Sequence, residues 1–223
     1  MDKMDFEQVV LYSEAQSSNE SSMEDLKEFN ETMMMYKCAI RQVVTKLEVL
    51  NDEFKQKSQR NPIRYINQRI KKPASIVEKM KRRGFDLNMD SMIENVNDIA
   101  GVRVVCAYGS DIYALAQMLT KQDDIRLLLM KDYIKSPKEN GYRSLHLVIE
   151  IPVYFSNEKR PIKVEVQIRT MAMDFWASLE HHIRYKTEGK ANEEIAKELK
   201  WCADTIHETD TRMQSIYEKI QKL

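Results

Sequence analysis

Lys163-Val-Glu-Val-Gln-Ile-Arg169 is the stretch on which the fold turns. Ile162, Val164, Val166 and Ile168 alternate with Lys163, Glu165, Gln167 and Arg169, and a period of two sends successive side chains to opposite faces of a strand. One face is therefore apolar and the other polar with both signs of charge. Two further stretches share the pattern. Val102, Val104 and Cys106 alternate with Arg103, Val105 and Ala107, while Leu145, Leu147, Ile149 and Ile151 alternate with Ser144, His146, Val148 and Glu150. Ile125 to Ile134 reads as another strand, and the turn-rich connection from Tyr154 to Pro161 suits an antiparallel hairpin.

Helical periods surround these strands. Leu26, Phe29, Met33, Tyr36, Ile40, Val43, Leu47, Leu50 and Phe54 recur at steps of three and four, predicting a helix to about Gln59 whose seam fits either its own core or another subunit. Pro73 near a start and Gly84 past an end bracket a second helix. Ser110 is the expected cap of a third, from Asp111 to Lys121. Met171 to Lys186 forms a fourth. A last stripe of Ile195, Leu199, Cys202, Ile206, Met213, Ile216 and Ile220 is interrupted at Asp210. The expected architecture is α/β (α+β), a mixed, largely antiparallel central sheet flanked by helices. Its expected divisions are a flexible leader over 1–22, an N-terminal helix over 23–59, a core over 60–190 and a C-terminal helix over 191–223.

Composition narrows the function. The 223 residues carry 35 basic and 35 acidic side chains, and 43% are hydrophobic. Balanced charge argues against a general DNA-binding or membrane-surface protein, so a nucleotide site has to be local. Cys38, Cys106 and Cys202 are scattered, without a CxxC pair, which points away from disulfides and cysteine-rich zinc sites and toward the cytoplasm. No apolar run is long enough for a membrane span. GxxxxGK[ST], GxGxxG and HExxH motifs are missing as well.

The polar face of 163–169 is, alone, compatible with a solvated sheet surface. His146 and Arg103 lie on the polar faces of neighbouring strands, however, and Asp98 stands just before one of them. Asp98 and Glu165 are a plausible pair of Mg²⁺ ligands, because Mg²⁺ takes one or two carboxylates together with substrate phosphates. Arg69, Lys71, Ser75 and Lys79 surround the start of a helix, where free N–H groups favour phosphate. A solvated basic helix is the alternative there. In the turn-rich loop from Lys135 to Ser144, Tyr142 can carry a base and Lys138 can meet phosphates. These residues alone stop at a Mg²⁺-dependent nucleotide site of undefined reaction.

Five segments, Arg69-Ile-Lys-Lys-Pro-Ala-Ser-Ile-Val-Glu-Lys79, Asn97-Asp-Ile-Ala-Gly-Val-Arg-Val-Val-Cys106, Lys138-Glu-Asn-Gly-Tyr-Arg-Ser-Leu-His146, Val164-Glu-Val-Gln-Ile-Arg-Thr170 and the run from Met173 to Lys186, together resemble the stand-alone small alarmone synthetases. These are relatives of the synthetase domain of Rel/SpoT proteins. The resemblance runs from about Asn61 to Lys190, and Asp174 looks closer to the RelP branch than to RelQ, which tends to have Asn there. It implies a nucleotidyltransferase-like synthetase fold and a GTP diphosphokinase of the stringent response. The implied reaction moves the β,γ-pyrophosphoryl group of ATP to the 3′-hydroxyl of GDP or GTP, giving AMP and ppGpp or pppGpp.

The same resemblance implies roles. Arg69 and Arg103 sandwich the adenine of ATP, and Lys71, Ser75 and Lys79 hold its phosphates. Asp98 is the principal Mg²⁺ ligand, and Glu165 is either a second metal contact or the base for the 3′-hydroxyl. Tyr142 stacks on guanine, Lys138 meets the acceptor's 5′-phosphates, and His146 and Gln167 neighbour that site. A homotetramer is implied, with the seam from Leu26 to Phe54 and the C-terminal stripe as contact surfaces. Alarmone hydrolysis is expected to be absent, and an effect of RNA stays open. Asp174 is expected to repel a phosphorylated effector. The rival readings are a nucleotidyltransferase attacking the α-phosphorus and a binding module without catalysis, the latter disfavoured because uncompensated carboxylates would be out of place in a phosphate-binding cleft.

Overall fold

A computed structural model describes residues 20–58, 60–186 and 193–222, so the expected leader lies, up to residue 19, outside the described residues. In chain order the elements are α1 (Glu20–Ser58), β1 (Ile63–Ile70), α2 (Pro73–Arg83), α3 (Met89–Asn95), β2 (Ala100–Cys106), α4 (Gly109–Thr120), β3 (Arg126–Asp132), β4 (Leu145–Tyr154), β5 (Lys159–Thr170), α5 (Met171–Lys186) and α6 (Glu193–Ile220). The five strands form one sheet in the order β1-β2-β5-β4-β3. All neighbours are antiparallel except β2 and β5, which run parallel. The mixed, largely antiparallel sheet and the hairpin between β4 and β5 agree with the alternation read above.

The apolar face of the sheet is covered by helices. Phe29, Met33, Tyr36, Ile40, Val43, Leu47 and Leu50 of α1 are all buried in one core with Val102 and Val104 of β2, Leu147 and Ile149 of β4, and Val164 and Val166 of β5. Ile76, Val77 and Met80 of α2 and Ile112, Leu115 and Leu119 of α4 join it. Of the two readings of the α1 seam, packing on the chain's own core accounts for its residues from Phe29 to Leu50, while Leu26 and Phe54 at its two ends stay half-buried. Leu47 is wholly buried, and its truncation to Ala would cost about 2–5 kcal/mol.

Helix ends follow local chemistry. Gly84 closes α2 in the left-handed region at φ 69°, its N–H reaching Lys81 O, and Phe85 N–H returns to Met80 O. Ser110 does not cap α4. The helix starts two residues earlier than expected, at Gly109 after Tyr108, whose N–H donates to the Asp111 carboxylate at 3.3 Å. That carboxylate is buried against Arg60.

The C-terminal stripe divides in two. Leu199, Cys202 and Ile206 pack on Trp176, Ala177 and Ala203 in a second, smaller core that also receives Tyr142. Met213, Ile216 and Ile220 stay exposed. Asp210 interrupts the stripe because it accepts a 2.7 Å hydrogen bond from Thr170 Oγ1 at the end of β5. No described helix is long and apolar enough to cross a membrane.

Candidate active site

The register of the sheet assembles the site. Asn67, Arg103, Gln167, His146 and Lys131 are successive partners across all five strands, so one polar row crosses the sheet. Alongside it, Gly101 pairs with Arg69 on one side and Glu165 on the other. A cleft of about 220 Å³ opens here, and Arg69, Lys71, Asp98, Gly101, Arg103 and Glu165 are among its lining. Asn67 and Gln68 also line it; both belong to β1, which sequence periodicity did not show.

Asp98 sits in the turn before β2, and the N–H of Lys71 donates to Ile99 O at 2.8 Å, fastening the end of β1 to that turn. The Asp98 carboxylate accepts from Lys79 Nζ at 2.7 Å and from Lys71 Nζ at 3.2 Å. Burial alone would raise its pKa, but the two ammonium groups outweigh burial and hold it below the ordinary carboxylate value. Ser75 stands in the first turn of α2 and is not among the described residues lining the cleft. The N-cap of α2, Lys72, makes no side-chain cap hydrogen bond, so the first N–H groups of that helix keep their anion-binding capacity.

Glu165 accepts from Gln167 Nε2 at 2.8 Å, and its other oxygen lies 3.3 Å from His146 Nδ1. Burial again pushes its pKa up, and the His146 and Gln167 contacts bring it below the ordinary value. Neither carboxylate is uncompensated, which corrects that expectation. Asp98 is ion-paired with two lysines, and Glu165 is hydrogen-bonded by an imidazole and an amide.

On the far side of Glu165 the contacts close a ring. His146 Nε2 lies 2.8 Å from the Tyr142 hydroxyl, Arg169 donates to that hydroxyl at 2.5 Å and to Gln167 Oε1 at 2.7 Å, and Gln167 returns to Glu165. A consistent proton assignment has His146 Nδ1–H donating to Glu165 and Tyr142 O–H donating to Nε2. Lys138 Nζ lies 4.8 Å from the Tyr133 ring and 4.7 Å from the Tyr142 ring. Gln167 is among the residues that line the cleft, whereas Lys138, Tyr142 and His146 are not; they gather beside it and join it through Glu165 and Gln167.

Three partners escaped sequence reasoning. Arg169 is buried and bonds Asp174 at 3.2 Å; Asp174, also buried, accepts from Tyr65 at 2.7 Å and lies 3.4 Å from Arg103. Asp174 is therefore an internal counter-ion for two arginines, and its expected repulsion of an effector is corrected. The signal that could have found it was the pairing of an acid with the fully apolar run around it in α5.

The acceptor-side loop is clamped from below. Gly141 lies at φ 87°, and a Cβ there would stand 2.5 Å from the Ala203 Cβ of α6. Arg143 pairs with Asp204 of α6 at 3.2 Å, and Asn140 donates to Glu180 of α5 at 3.1 Å. The loop is therefore built onto the two C-terminal helices.

Comparison with known proteins gives a consistent result. The family described as "Region found in RelA / SpoT proteins" matches residues 68–190. The GTP pyrophosphokinase YwaC of Bacillus subtilis is 41% identical over 202 residues, 89% of this chain and 96% of that protein. YjbM, another GTP pyrophosphokinase of the same organism, is 33% identical over 89% of this chain and 92% of its own length. The crystal structure of small alarmone synthetase 1 from Bacillus subtilis, bound to its product pppGpp, superposes with a TM-score of 0.80 at 31% identity, covering 87% of this chain and 99% of that one. With the matched region covering more than half of the chain and taking in Arg69, Asp98, Arg103 and Glu165 of the cleft, the chain belongs to the RelA/SpoT family.

Proposed function

We propose that this chain is a small alarmone synthetase, a GTP diphosphokinase that transfers the β,γ-pyrophosphoryl group of ATP to the 3′-hydroxyl of GDP or GTP and releases AMP. The observation that carries this reading is the meeting of Asp98 and Glu165 on one cleft, with basic groups on the β1 side and an aromatic, lysine-bearing loop on the β4 side. Two different nucleotides require two such chemically distinct halves. The names of the relatives, two of them GTP pyrophosphokinases, support the same reaction.

Arg69 and Arg103 present planar guanidinium groups suited to stacking on adenine. Lys71 and Lys79, with the open N-terminus of α2, are placed to receive the ATP phosphates. Tyr142 offers its ring to guanine and Lys138 its ammonium to the acceptor phosphates. Glu165, kept ionised and aimed by His146 and Gln167, takes the 3′-hydroxyl proton as that oxygen attacks the β-phosphorus. Alignment of the two nucleotides supplies a large part of the acceleration.

The donor set fits Mg²⁺ as a companion of ATP. Two hard carboxylates face the cleft, yet among the described residues no group of three or more His, Cys, Asp or Glu side chains could hold a metal alone. Asp98 is the ligand, with Glu165 near it, and Lys71 and Lys79 pass from Asp98 to the phosphates. When bound, Mg²⁺ supplies charge neutralisation on the reacting phosphates. The three free cysteines suit the reducing cytoplasm. Assembly as a homotetramer is part of the proposal, using exposed apolar groups such as Met213, Ile216 and Ile220 of α6, and light scattering tests it.

Incubation with Mg²⁺, ATP and GDP or GTP, followed by anion-exchange separation, tests the reaction. AMP should appear in step with a more highly charged guanosine nucleotide. Release of free pyrophosphate would instead mark nucleotidyl transfer, and untouched ATP would remove the enzymatic reading.

A further inference from the structure

Gly101 is a glycine that the fold does not need. It lies inside strand β2, where glycine weakens a strand because it packs nothing and gives up the most backbone freedom. Its backbone is not left-handed; the glycines with positive φ are Gly84 and Gly141 among the described residues. Nor is it wedged against a neighbour: a Cβ at this position would meet only Arg69 O, at 3.6 Å, an ordinary van der Waals distance. The two usual reasons for a strand glycine, conformation and crowding by protein, therefore both fail here.

What remains is the space above it. Gly101 lines the cleft, its register partners are Arg69 and Glu165, and Arg103 stands two residues further along the same face. A planar group held between the Arg69 and Arg103 guanidinium groups would lie over the bare backbone of residue 101. We propose that Gly101 is a specificity-determining residue, missing its side chain so that the base and ribose of the nucleoside triphosphate donor can rest on the strand. The inference rests on the donor assignment made above and adds to it the position that sets the depth of the donor half.

Its sign is unusual: filling the position should leave the fold as stable or more so while removing donor binding. The test compares the wild-type chain with Gly101→Ala and Gly101→Val by thermal melting and by calorimetric titration with α,β-methylene ATP and, separately, with GDP. Gly101→Val should melt at the wild-type temperature or about 1–3 °C higher, as expected for a β-branched residue replacing glycine in a strand. It should bind the ATP analogue at least about tenfold more weakly, a loss of about 1.4 kcal/mol, with Gly101→Ala intermediate and GDP affinity kept. A valine variant that binds the analogue like the wild type overturns the inference alone, as does one whose melting temperature collapses, since the glycine would then be structural. A wild-type chain that fails to bind the analogue overturns the donor assignment itself, and this inference with it.

Discussion

The phenol oxygen of Tyr142 lies 2.8 Å from Nε2 of His146, so a side chain from the acceptor-side loop is wired to the imidazole that touches Glu165. Removal of that imidazole should both free Glu165 and loosen Tyr142. His146→Ala is expected to lower kcat by about 10- to 100-fold, with a smaller rise in KM for GDP and none for ATP. Steady-state kinetics with each substrate varied in turn checks it. Unchanged kcat would mean that the ring of contacts is only structural.

Tyr142 separates stacking from hydrogen bonding. Tyr142→Phe keeps the ring but loses the bonds to His146 and Arg169, so KM for GDP should hold while kcat falls. Tyr142→Ala should raise KM for GDP by about 10- to 100-fold, the worth of one base–aromatic stack. A rise in KM for ATP instead would put this loop on the wrong substrate.

Gly141 is a glycine for the opposite reason to Gly101. Its φ of 87° and the 2.5 Å approach to Ala203 leave no room for a methyl group. Gly141→Ala should displace the loop from α6, cost about 1–3 kcal/mol, and weaken GDP binding while leaving ATP binding near wild type. Paired calorimetric titrations distinguish this from general unfolding.

Asp174 lies between Arg169 and Arg103 and accepts from Tyr65. Asp174→Ala leaves Arg169 buried without its carboxylate, a loss of about 3–5 kcal/mol, or roughly 10 °C in Tm for a chain of this size. Asp174→Asn, which keeps an acceptor for Tyr65, should recover part of that loss in a melting experiment.

Asp98 sets an acid limit on stability. Its folded pKa is depressed, so the stability it contributes is complete above the unfolded value near pH 4 and drains away as pH falls through the lower folded value. In EDTA, the Tm difference between the chain and Asp98→Asn should hold from about pH 8 to 6 and close only below about pH 4. Closure already near pH 6 would show that the lysine pairing does not hold in solution.

Much of this was legible from alternation. β2, β4 and β5 are half-buried, so period two shows in their residues, and Asp98, Arg103, His146, Glu165 and Gln167 followed from it. β1 was not, because Ile63–Ile70 is an edge strand exposed along most of its length, and an exposed strand has no need of apolar alternation. For the same reason Asn67 and Gln68 went unseen. The α1 seam was visible, but periodicity cannot say whether a stripe faces its own sheet or another chain. Arg169, Asp174 and Tyr65 come together from three elements, and only tertiary structure joins them.

β5 is the last strand in sequence, yet it stands in the middle of the sheet, between β2 and β4. The chain must therefore make both halves of its sheet and wait for the strand that unites them, a long-range pairing of the kind that slows folding. Glu165, Gln167 and Arg169 all arrive on that strand. A chain ending before Lys159 would carry the donor-side residues, Asp98 and the loop, but not the Glu165 carboxylate that stands between them. The two halves of the site are thus joined only when β5 takes its place between β2 and β4.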